Sequence, residues 1–489
     1  MRFRLKKATV IALTGVIMAQ AVLTGCGKKT VDYEVDGNST QKGGEQTGTS
    51  DRAGIGGKLG VPESCNETIN TGNSTLGSIT VNCESIQTPD ADKMDVIHFT
   101  PHSFTNEDKK NMAEALFDKE KGIYLHDYEH RIKSEIQEEI DGYKEQIETA
   151  QAEGDTSWIT FLEDEIKNLE TELAAAPESY PDAGDYSGDA FLGTIDDVSY
   201  YLNIYSYGGD GKEDIIAKGA MTGMGSNVSF GVEKEDISVR PYEGASGGYM
   251  TEWADEGGEL GANMSSITAE EAENIVLDFL ADLGITDVAM TSHTDLYWQY
   301  YDENGETLAT EADGYVINCL RAVNGSPVYN GRVYNVDNLQ LDNGWMNMPV
   351  EAFSFYVYDG KVVRANWEQI FSQPDSTDEN VELLPYEQII EKANTEMSKY
   401  YEKYPTRYKK VEFNDMRLTY YLVSDGEGKC KYIPVWVFSQ YEEYTDSDNS
   451  DAPEQLVIMN AADGSIVDII EEAKALGCYE DYSAEMIVK

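Results

Sequence analysis

The chain has 489 residues and carries 90 Asp and Glu against 37 Lys and Arg, which gives a formal charge of −53. This acidic excess argues against nucleic acid as a partner and against electrostatic attachment to anionic lipid, because both interactions need clustered Lys and Arg. The length is enough for roughly two to four domains, each with a core of its own.

The N-terminal residues predict an export signal with a lipid attachment site. Four basic residues lie within the first seven positions and precede an apolar stretch, residues 8–22, that is too short for a permanent membrane span. The next four residues, Leu-Thr-Gly-Cys, resemble the lipobox of bacterial lipoproteins. The resemblance implies cleavage after residue 25 and a diacylglycerol on Cys26, whose two acyl chains would hold the protein on the outer face of the cell membrane. The alternative is an ordinary secretory signal with a chance cysteine.

Five cysteines remain if Cys26 carries lipid. Cys65 and Cys83 lie close together in a segment with strand character, and we predict a disulfide between them because disulfides persist in exported proteins. Cys319 lies inside an apolar run and is predicted to be a buried strand residue. Cys430 and Cys478 are the remaining pair, and the sequence does not require a bond between them.

Composition and periodicity predict an α+β protein in which helices pack on antiparallel sheets. The residues between Cys26 and position 60 are almost all polar, so they cannot bury enough surface to fold and instead form a tether. The predicted segments are a signal peptide (1–25), the tether (26–60), a β-rich segment (61–127), a helical hairpin (128–176), a second β-rich segment (177–265) and two helix-on-sheet units (266–375 and 376–489).

Two neighbouring runs of apolar residues recur at helical spacing. Between them, residues 153–157 supply a glycine that ends one helix and polar side chains that begin the next. The pattern predicts a projecting antiparallel hairpin with arms of about 24 residues, or roughly 36 Å. The alternative is a globular helical core. The apolar positions are Ile132, Ile136, Ile140, Tyr143 and Ile147 in the first arm and Leu162, Ile166, Leu169 and Leu173 in the second.

The C-terminal half contains an internal repeat. In the first copy, Thr268 and Glu271 form a capping box at the start of an amphipathic helix. In the second copy, Pro385 begins the corresponding helix. Each copy ends in a strand pair around an Asp-Gly turn, at residues 359–360 and 463–464, and Asp-Gly between apolar runs is a strong hairpin signal.

These repeats resemble a known family. The runs Asn-Gly-Ser-Pro-Val at 324–328, Ile-Pro-Val-Trp-Val-Phe at 433–438 and Asn-Ala-Ala-Asp-Gly at 460–464 resemble the PepSY-type repeat of exported bacterial proteins, over roughly residues 266–489. With the lipobox, the tether and the hairpin, the whole chain resembles the uncharacterised surface lipoproteins of Gram-positive bacteria. The resemblance implies binding or inhibition of a partner protein, with no catalytic residues to carry over. A long insert between Tyr329 and Ala352 departs from the pattern.

One triplet has the spacing of a zinc-peptidase motif. His126, Glu129 and His130 match H-x-x-E-H, in which two imidazoles bind zinc and the glutamate acts as general base. If the hairpin helix already runs through this segment, both histidines face water, away from the seam at Ile132, and we expect a chance match. The acidic run 446–451 has the composition of a calcium loop but lacks its central glycine and closing glutamate.

The sequence therefore predicts no catalytic residue, no metal and no cofactor. We expect a non-catalytic, lipid-anchored protein that binds an envelope protein, either to restrain it or to sense it. The alternative is a lipid-anchored receptor for a carbohydrate or peptide, and a zinc peptidase comes third. The aromatic cluster Tyr297, Trp298, Tyr300 and Tyr301 suits protein or carbohydrate recognition, unless its members line the faces of a sheet.

Overall fold

The computed structural model describes residues 52–70, 76–100, 102–126, 131–206, 226–233, 239–253, 261–302, 305–330, 344–346, 348–370, 374–379, 381–406, 408–426, 429–440, 455–477 and 479–481. The predicted signal peptide, Cys26, Glu129, His130, Cys478 and the acidic run 446–451 lie outside the described residues. Of the helices in the described ranges, none combines the length and the apolar character that a membrane crossing needs.

The described residues form an α+β structure with mostly antiparallel sheets, which confirms the predicted class at that level. The helices are α1 (Gly54–Lys58), α2 (Asn106–Leu116), α3 (Lys133–Glu153), α4 (Thr156–Ala175), α5 (Ala269–Asp282), α6 (Tyr386–Lys403) and α7 (Ile469–Ala475). The strands are β1 (Cys65–Asn70), β2 (Ser78–Cys83), β3 (Ile86–Gln87), β4 (Val96–Phe99), β5 (Tyr124–Leu125), β6 (Ala190–Ile195), β7 (Val198–Ser206), β8 (Ser226–Val232), β9 (Gly247–Thr251), β10 (Val288–Tyr301), β11 (Thr307–Val323), β12 (Ser326–Pro327), β13 (Gly344–Met346), β14 (Ala352–Tyr358), β15 (Lys361–Ile370), β16 (Ser376–Asp378), β17 (Lys410–Phe413), β18 (Asp415–Gly426), β19 (Lys429–Gln440), β20 (Gln455–Asn460) and β21 (Tyr479–Asp481).

The middle of the chain forms a ten-stranded antiparallel sheet, which we call the middle lobe. Its strand order is β5-β6-β7-β8-β15-β14-β11-β10-β9, with β12 paired to β11. Helices α2 and α5 contribute Met112, Val276 and Leu280 to a core with strand residues such as Phe230 and Phe355. Since β8 pairs with β15, the predicted segment 177–265 and the first helix-on-sheet unit share one sheet instead of forming separate parts.

The two ends of the described chain fold together into a second body, which we call the terminal lobe. Strand β2 pairs in parallel with β17, β3 pairs in parallel with β18, and β4 pairs with β19. The predicted segment 61–127 is therefore divided, because its first strands complete the sheets of the C-terminal unit and α2 joins the middle lobe. The fold also begins before the predicted tether ends, since Ile55 and Leu59 are buried in this core.

Local signals explain the helix and turn positions in both lobes. The Thr268 hydroxyl accepts a hydrogen bond from the backbone N–H of Glu271, whose side chain in turn accepts one from the N–H of Thr268, and α5 follows. Between β14 and β15, Asp359 and Gly360 have φ angles of +47° and +72°, which the two central residues of a tight hairpin turn require.

The lobes are joined where two strand segments pass from one core into the other. Along β11, Ile317 lies in the core of the middle lobe and Leu320 lies in the core of the terminal lobe. Around the start of β14, Val350 lies in the core of the terminal lobe and Phe353 lies in the core of the middle lobe. The middle lobe also begins and ends at neighbouring residues, because the backbone N–H of His102 donates to the carbonyl of Ile370 at 3.0 Å. The middle lobe thus has the form of an insertion into the terminal lobe.

A buried ion pair lies at this crossing. Arg321 donates from Nε and Nη2 to the two carboxylate oxygens of Glu351 at 2.7 and 2.6 Å, and the indole N–H of Trp367 donates to the same carboxylate at 3.0 Å. The Glu351 side chain is 1 % exposed. A bidentate pair of this geometry satisfies both charges away from water.

We expect Glu351→Ala to lower the free energy of unfolding by about 3–5 kcal/mol, because it leaves the Arg321 guanidinium buried without its counter-charge. Urea unfolding followed by circular dichroism measures the change. The control is Glu306→Ala in the exposed turn between β10 and β11, for which the change should stay within about 0.5 kcal/mol. Similar losses for the two variants would contradict the role of the pair.

Candidate functional site

The candidate site lies on the helix pair α3 and α4, which has a core of its own. Ile136, Ile140 and Leu169 form its buried centre, with Tyr143, Ile166, Leu173 and Ala176 packed around them. Gly154 ends α3 in the left-handed conformation at φ +79°, and the Asp155 carboxylate accepts hydrogen bonds from the N–H groups of Ser157 and Trp158 at the start of α4. The turn is short because a glycine and an N-cap follow each other directly.

One end of the helix pair is attached to the middle lobe. The N–H of Lys133 donates to the carbonyl of Pro177 at 2.9 Å, and the Tyr180 hydroxyl donates to Glu135 at 2.7 Å. The Tyr180 ring also contacts the ring of His126, which follows β5. Since α3 has 21 residues, the turn at 154–155 lies about 30 Å along the helix from this attachment, at 1.5 Å per residue.

Two large aromatic side chains are exposed near that turn. Trp158 and Phe161 lie one helical turn apart on α4 and are 44 % and 49 % exposed. Their rings stack with centroids 5.0 Å apart and planes at 15°. Large aromatic rings held rigidly in contact with water are typical of a surface that another molecule covers.

The charge on the helix pair is divided between its two ends. Residues 145–166, which we call the aromatic tip, contain seven Asp and Glu and no Lys or Arg. Near the attached end three glutamates have basic partners: Arg131 pairs with Glu139 and Glu172, and Lys133 pairs with Glu178. At the tip, the exposed carboxylates of Glu148 and Glu163 form no ion pair with any residue that the structure describes.

The structure overturns the helical setting assumed for the zinc-peptidase triplet. Helix α3 begins only at Lys133, with Ile132 as its N-cap, so His126 does not lie on that helix. His126 instead extends a β-ladder, because its N–H donates to the carbonyl of Ala190 at 3.0 Å. The motif needs its first histidine on a helix with the other two residues, and this condition is not met. In the ranges that can be described, no three His, Cys, Asp or Glu side chains form a potential metal site.

The predicted cysteine pair lies in register across two strands. Cys65 in β1 and Cys83 in β2 are direct antiparallel partners, a placement that brings their Cα atoms to roughly 4.5–5.5 Å and so into the range of a disulfide. Both are buried free thiols in the structure, and burial raises the pKa of Cys83 to about 12. The bond itself stays a prediction. Cys319 is buried in β11, as the sequence predicted, and Cys430 is also buried.

We expect Cys65 and Cys83 to be linked in protein exported to an oxidising compartment. Alkylation of the unfolded chain without reductant, followed by peptide mass spectrometry, should leave both residues unmodified, and reductant should make both reactive. Cys319 provides the internal control, because it should be alkylated under both conditions once the chain is unfolded. Alkylation of Cys65 and Cys83 without reductant would show that the two thiols do not pair.

The aromatic cluster predicted around β10 is divided by the pleat of the strand. Trp298 and Tyr300 are fully buried and hold Arg240, which lies 5.9 and 5.7 Å from their ring centroids and pairs with Asp313 at 2.9 Å. These two rings therefore belong to the core. Tyr301 lies on the other face, where it stacks on the exposed Tyr249 with centroids 5.6 Å apart.

A histidine in the terminal lobe lies between two carboxylates. Nδ1 of His98 is 2.8 Å from Asp425 and Nε2 is 3.2 Å from Asp378, and Lys431 contacts the other oxygen of Asp425 at 3.0 Å. The hydrogen bond to Asp425, with a smaller contribution from Asp378, raises the pKa of His98 above its ordinary value in spite of partial burial. The protonated imidazole thus connects β4 to β16 and to the β18 end.

We expect the stabilising effect of His98 to be larger in acid than in alkali. A histidine whose folded pKa is raised stabilises the fold fully below its unfolded pKa of about 6.5, and the effect is lost as the pH rises through the folded pKa. His98→Asn should therefore lower the melting temperature more at about pH 5.5 than at about pH 9. Thermal unfolding at constant ionic strength measures this difference, and an equal loss at both pH values would contradict it.

A small apolar cleft lies between α2, α5 and the ten-stranded sheet. Met112, Phe279, Leu283 and Trp367 are among its lining residues, which carry no ionisable side chain. The cleft offers apolar contact but no acid or base.

Comparison with known proteins identifies no family. No protein-family model matches the chain, and no curated protein matches it. One similar solved structure is the crystal structure of an uncharacterized protein from Eubacterium rectale ATCC 33656, which is 11 % identical and matches 85 % of this chain and 96 % of that chain with a TM-score of 0.31. A TM-score of this size does not establish a common fold.

Proposed function

We propose that this chain is a lipid-anchored extracytoplasmic protein that binds another protein of the cell envelope without catalysis. In this proposal α3 and α4 form a projecting hairpin, and the hairpin is the recognition element. The observation that carries the proposal is the exposed stack of Trp158 on Phe161, about 30 Å along α3 from the attached end. The lipid anchor on Cys26 rests on the lipobox resemblance alone.

The packing of the helix pair supports this role. Its apolar core is separate from the cores of both lobes, so burial within the pair stabilises it without covering the tip. Trp158 and Phe161 stay outside that core although Leu162, next to them on α4, is fully buried. Trp and Phe are enriched at the centres of protein interfaces, where they bury large areas at a small entropic cost.

The arrangement of the body supports the resemblance to PepSY-type repeats. Helix α5 precedes the antiparallel neighbours β10, β11, β14 and β15, and helix α6 precedes the antiparallel neighbours β18, β19 and β20. We infer that these are two PepSY-like units that share one ancestral plan. The resemblance implies that such units restrain or sense a partner protein, which agrees with a recognition element on the same chain.

We expect Trp158→Ala with Phe161→Ala to reduce partner capture at least tenfold, because the substitutions remove the exposed apolar surface of the tip. A soluble chain that begins at Gly27 serves as bait in envelope extract, and quantitative mass spectrometry compares the proteins retained by each variant. Trp253→Ala is the matched control, since Trp253 is 60 % exposed but lies beyond β9, outside the helix pair.

Capture that is unchanged by the double substitution would place binding on the lobes and overturn the role of the hairpin. A bait that lacks residues 128–176 gives an independent comparison. It should lose the same protein that the double variant loses.

A further inference from the structure

We propose that the aromatic tip recognises a basic segment of its protein partner, one that presents Lys or Arg together with apolar side chains. This inference rests on the proposed function, because it names the chemistry of the partner that the same hairpin binds. The two parts of the proposal come from two independent features of the tip, the ring stack and the uncompensated charge.

The stacked rings of Trp158 and Phe161 provide an apolar surface for a partner to cover. Trp158 and Phe161 already cover one face of each other, and both remain nearly half exposed. Their outer surfaces are available to aliphatic or aromatic side chains, or to the aliphatic stem and charged head of Lys and Arg. A cation over an exposed aromatic ring gains about 0.5–1 kcal/mol, and more when water is excluded.

The negative charge of the aromatic tip favours a partner with basic side chains. At the attached end of the helix pair, Arg131 pairs with both Glu139 and Glu172, and at the tip the seven acidic residues have no basic residue among them. Asp164 and Glu165 lie three and four residues beyond Phe161 on α4, one helical turn away on the same side, and neither forms an ion pair with a residue that the structure describes. A partner that covers the rings therefore comes close to these carboxylates. Basic side chains of the partner would be attracted to them.

The same charge excludes two other occupants. A second copy of this chain would bring seven more acidic residues against the first tip, and like charges facing each other disfavour association. The surface of an anionic bilayer attracts basic segments and repels acidic ones, so the exposed tryptophan does not act here as a membrane anchor. A basic protein segment is left as the occupant that satisfies both the rings and the carboxylates.

The test uses designed peptides with the soluble chain that begins at Gly27. The first peptide is an 18-residue amphipathic helix of Lys and Leu, the second replaces each Lys with Glu, and the third keeps every Lys but replaces each Leu with Ser. Fluorescence anisotropy of the labelled peptides measures the dissociation constant at 0.15 M salt, where charges are screened beyond about 8 Å. The Lys and Leu peptide should bind at least tenfold more tightly than either of the other two.

Two variants and one control locate the binding. Trp158→Ala with Phe161→Ala removes the rings, and Asp164→Lys with Glu165→Lys reverses two charges beside them. Glu391→Lys with Glu402→Lys makes the same charge change at exposed positions of α6. Both tip variants should weaken binding of the Lys and Leu peptide at least tenfold, and the α6 control should change it less than twofold. Circular dichroism checks that each variant keeps its helix content.

Four results would overturn the inference. An equal loss in the α6 control would show general attraction to an acidic protein, and equal binding of the Lys and Ser peptide would show that the rings take no part. Binding of the tip to phosphatidylglycerol vesicles in place of the peptides would point to a membrane. If envelope capture depends on Trp158 and Phe161 but survives the charge reversal at Asp164 and Glu165, the proposed function stands and this inference fails.

Discussion

The buried pair of Arg321 and Glu351 is the interaction that holds β11 to the segment before β14, and both of these chain segments connect the two lobes. The pair lies where β11 and the segment before β14 pass between the core of the middle lobe and the core of the terminal lobe. An apolar pair would pack here without specifying how the strands meet. A bidentate ion pair with a third hydrogen bond from Trp367 has one geometry, and it therefore favours one register between β11 and the segment before β14.

Around that junction the chain closes on itself. Residues before position 100 supply strands to the sheets of the C-terminal unit, and everything from α2 to β15 is contained between them. The middle lobe gives the terminal core six apolar side chains, namely Leu320, Val323, Val328, Tyr329, Met348 and Val350. The helix pair is different, since its core includes no residue of either lobe. The exposed rings thus lie on an element whose apolar core is separate from the cores of both lobes.

Sequence reasoning reached the local features and missed those that join distant parts of the chain. The capping box at Thr268 and Glu271 needs only three residues of context, and the structure has it. The parallel pairing of Ser78 with Lys410 joins residues more than 300 positions apart, and nothing in either segment indicates the other. The same limit explains why residues 61–127 were predicted to be one segment. At the candidate site, helical spacing correctly predicted that Leu162 and Leu169 are buried. It did not predict that Trp158 and Phe161 are exposed, because these residues are also apolar and lie beside the buried positions on the same helix.

The contact between His102 and Ile370 has a consequence for how the molecule unfolds. An inserted lobe whose two ends are adjacent usually unfolds independently, because only two chain connections link it to the host lobe. Here β11 and the residues before β14 carry side chains of the host core, so the inserted lobe cannot melt without opening its host. We therefore expect the two lobes to form one cooperative unit in spite of their separate sheets and to melt in one transition, whereas the helix pair can melt in another.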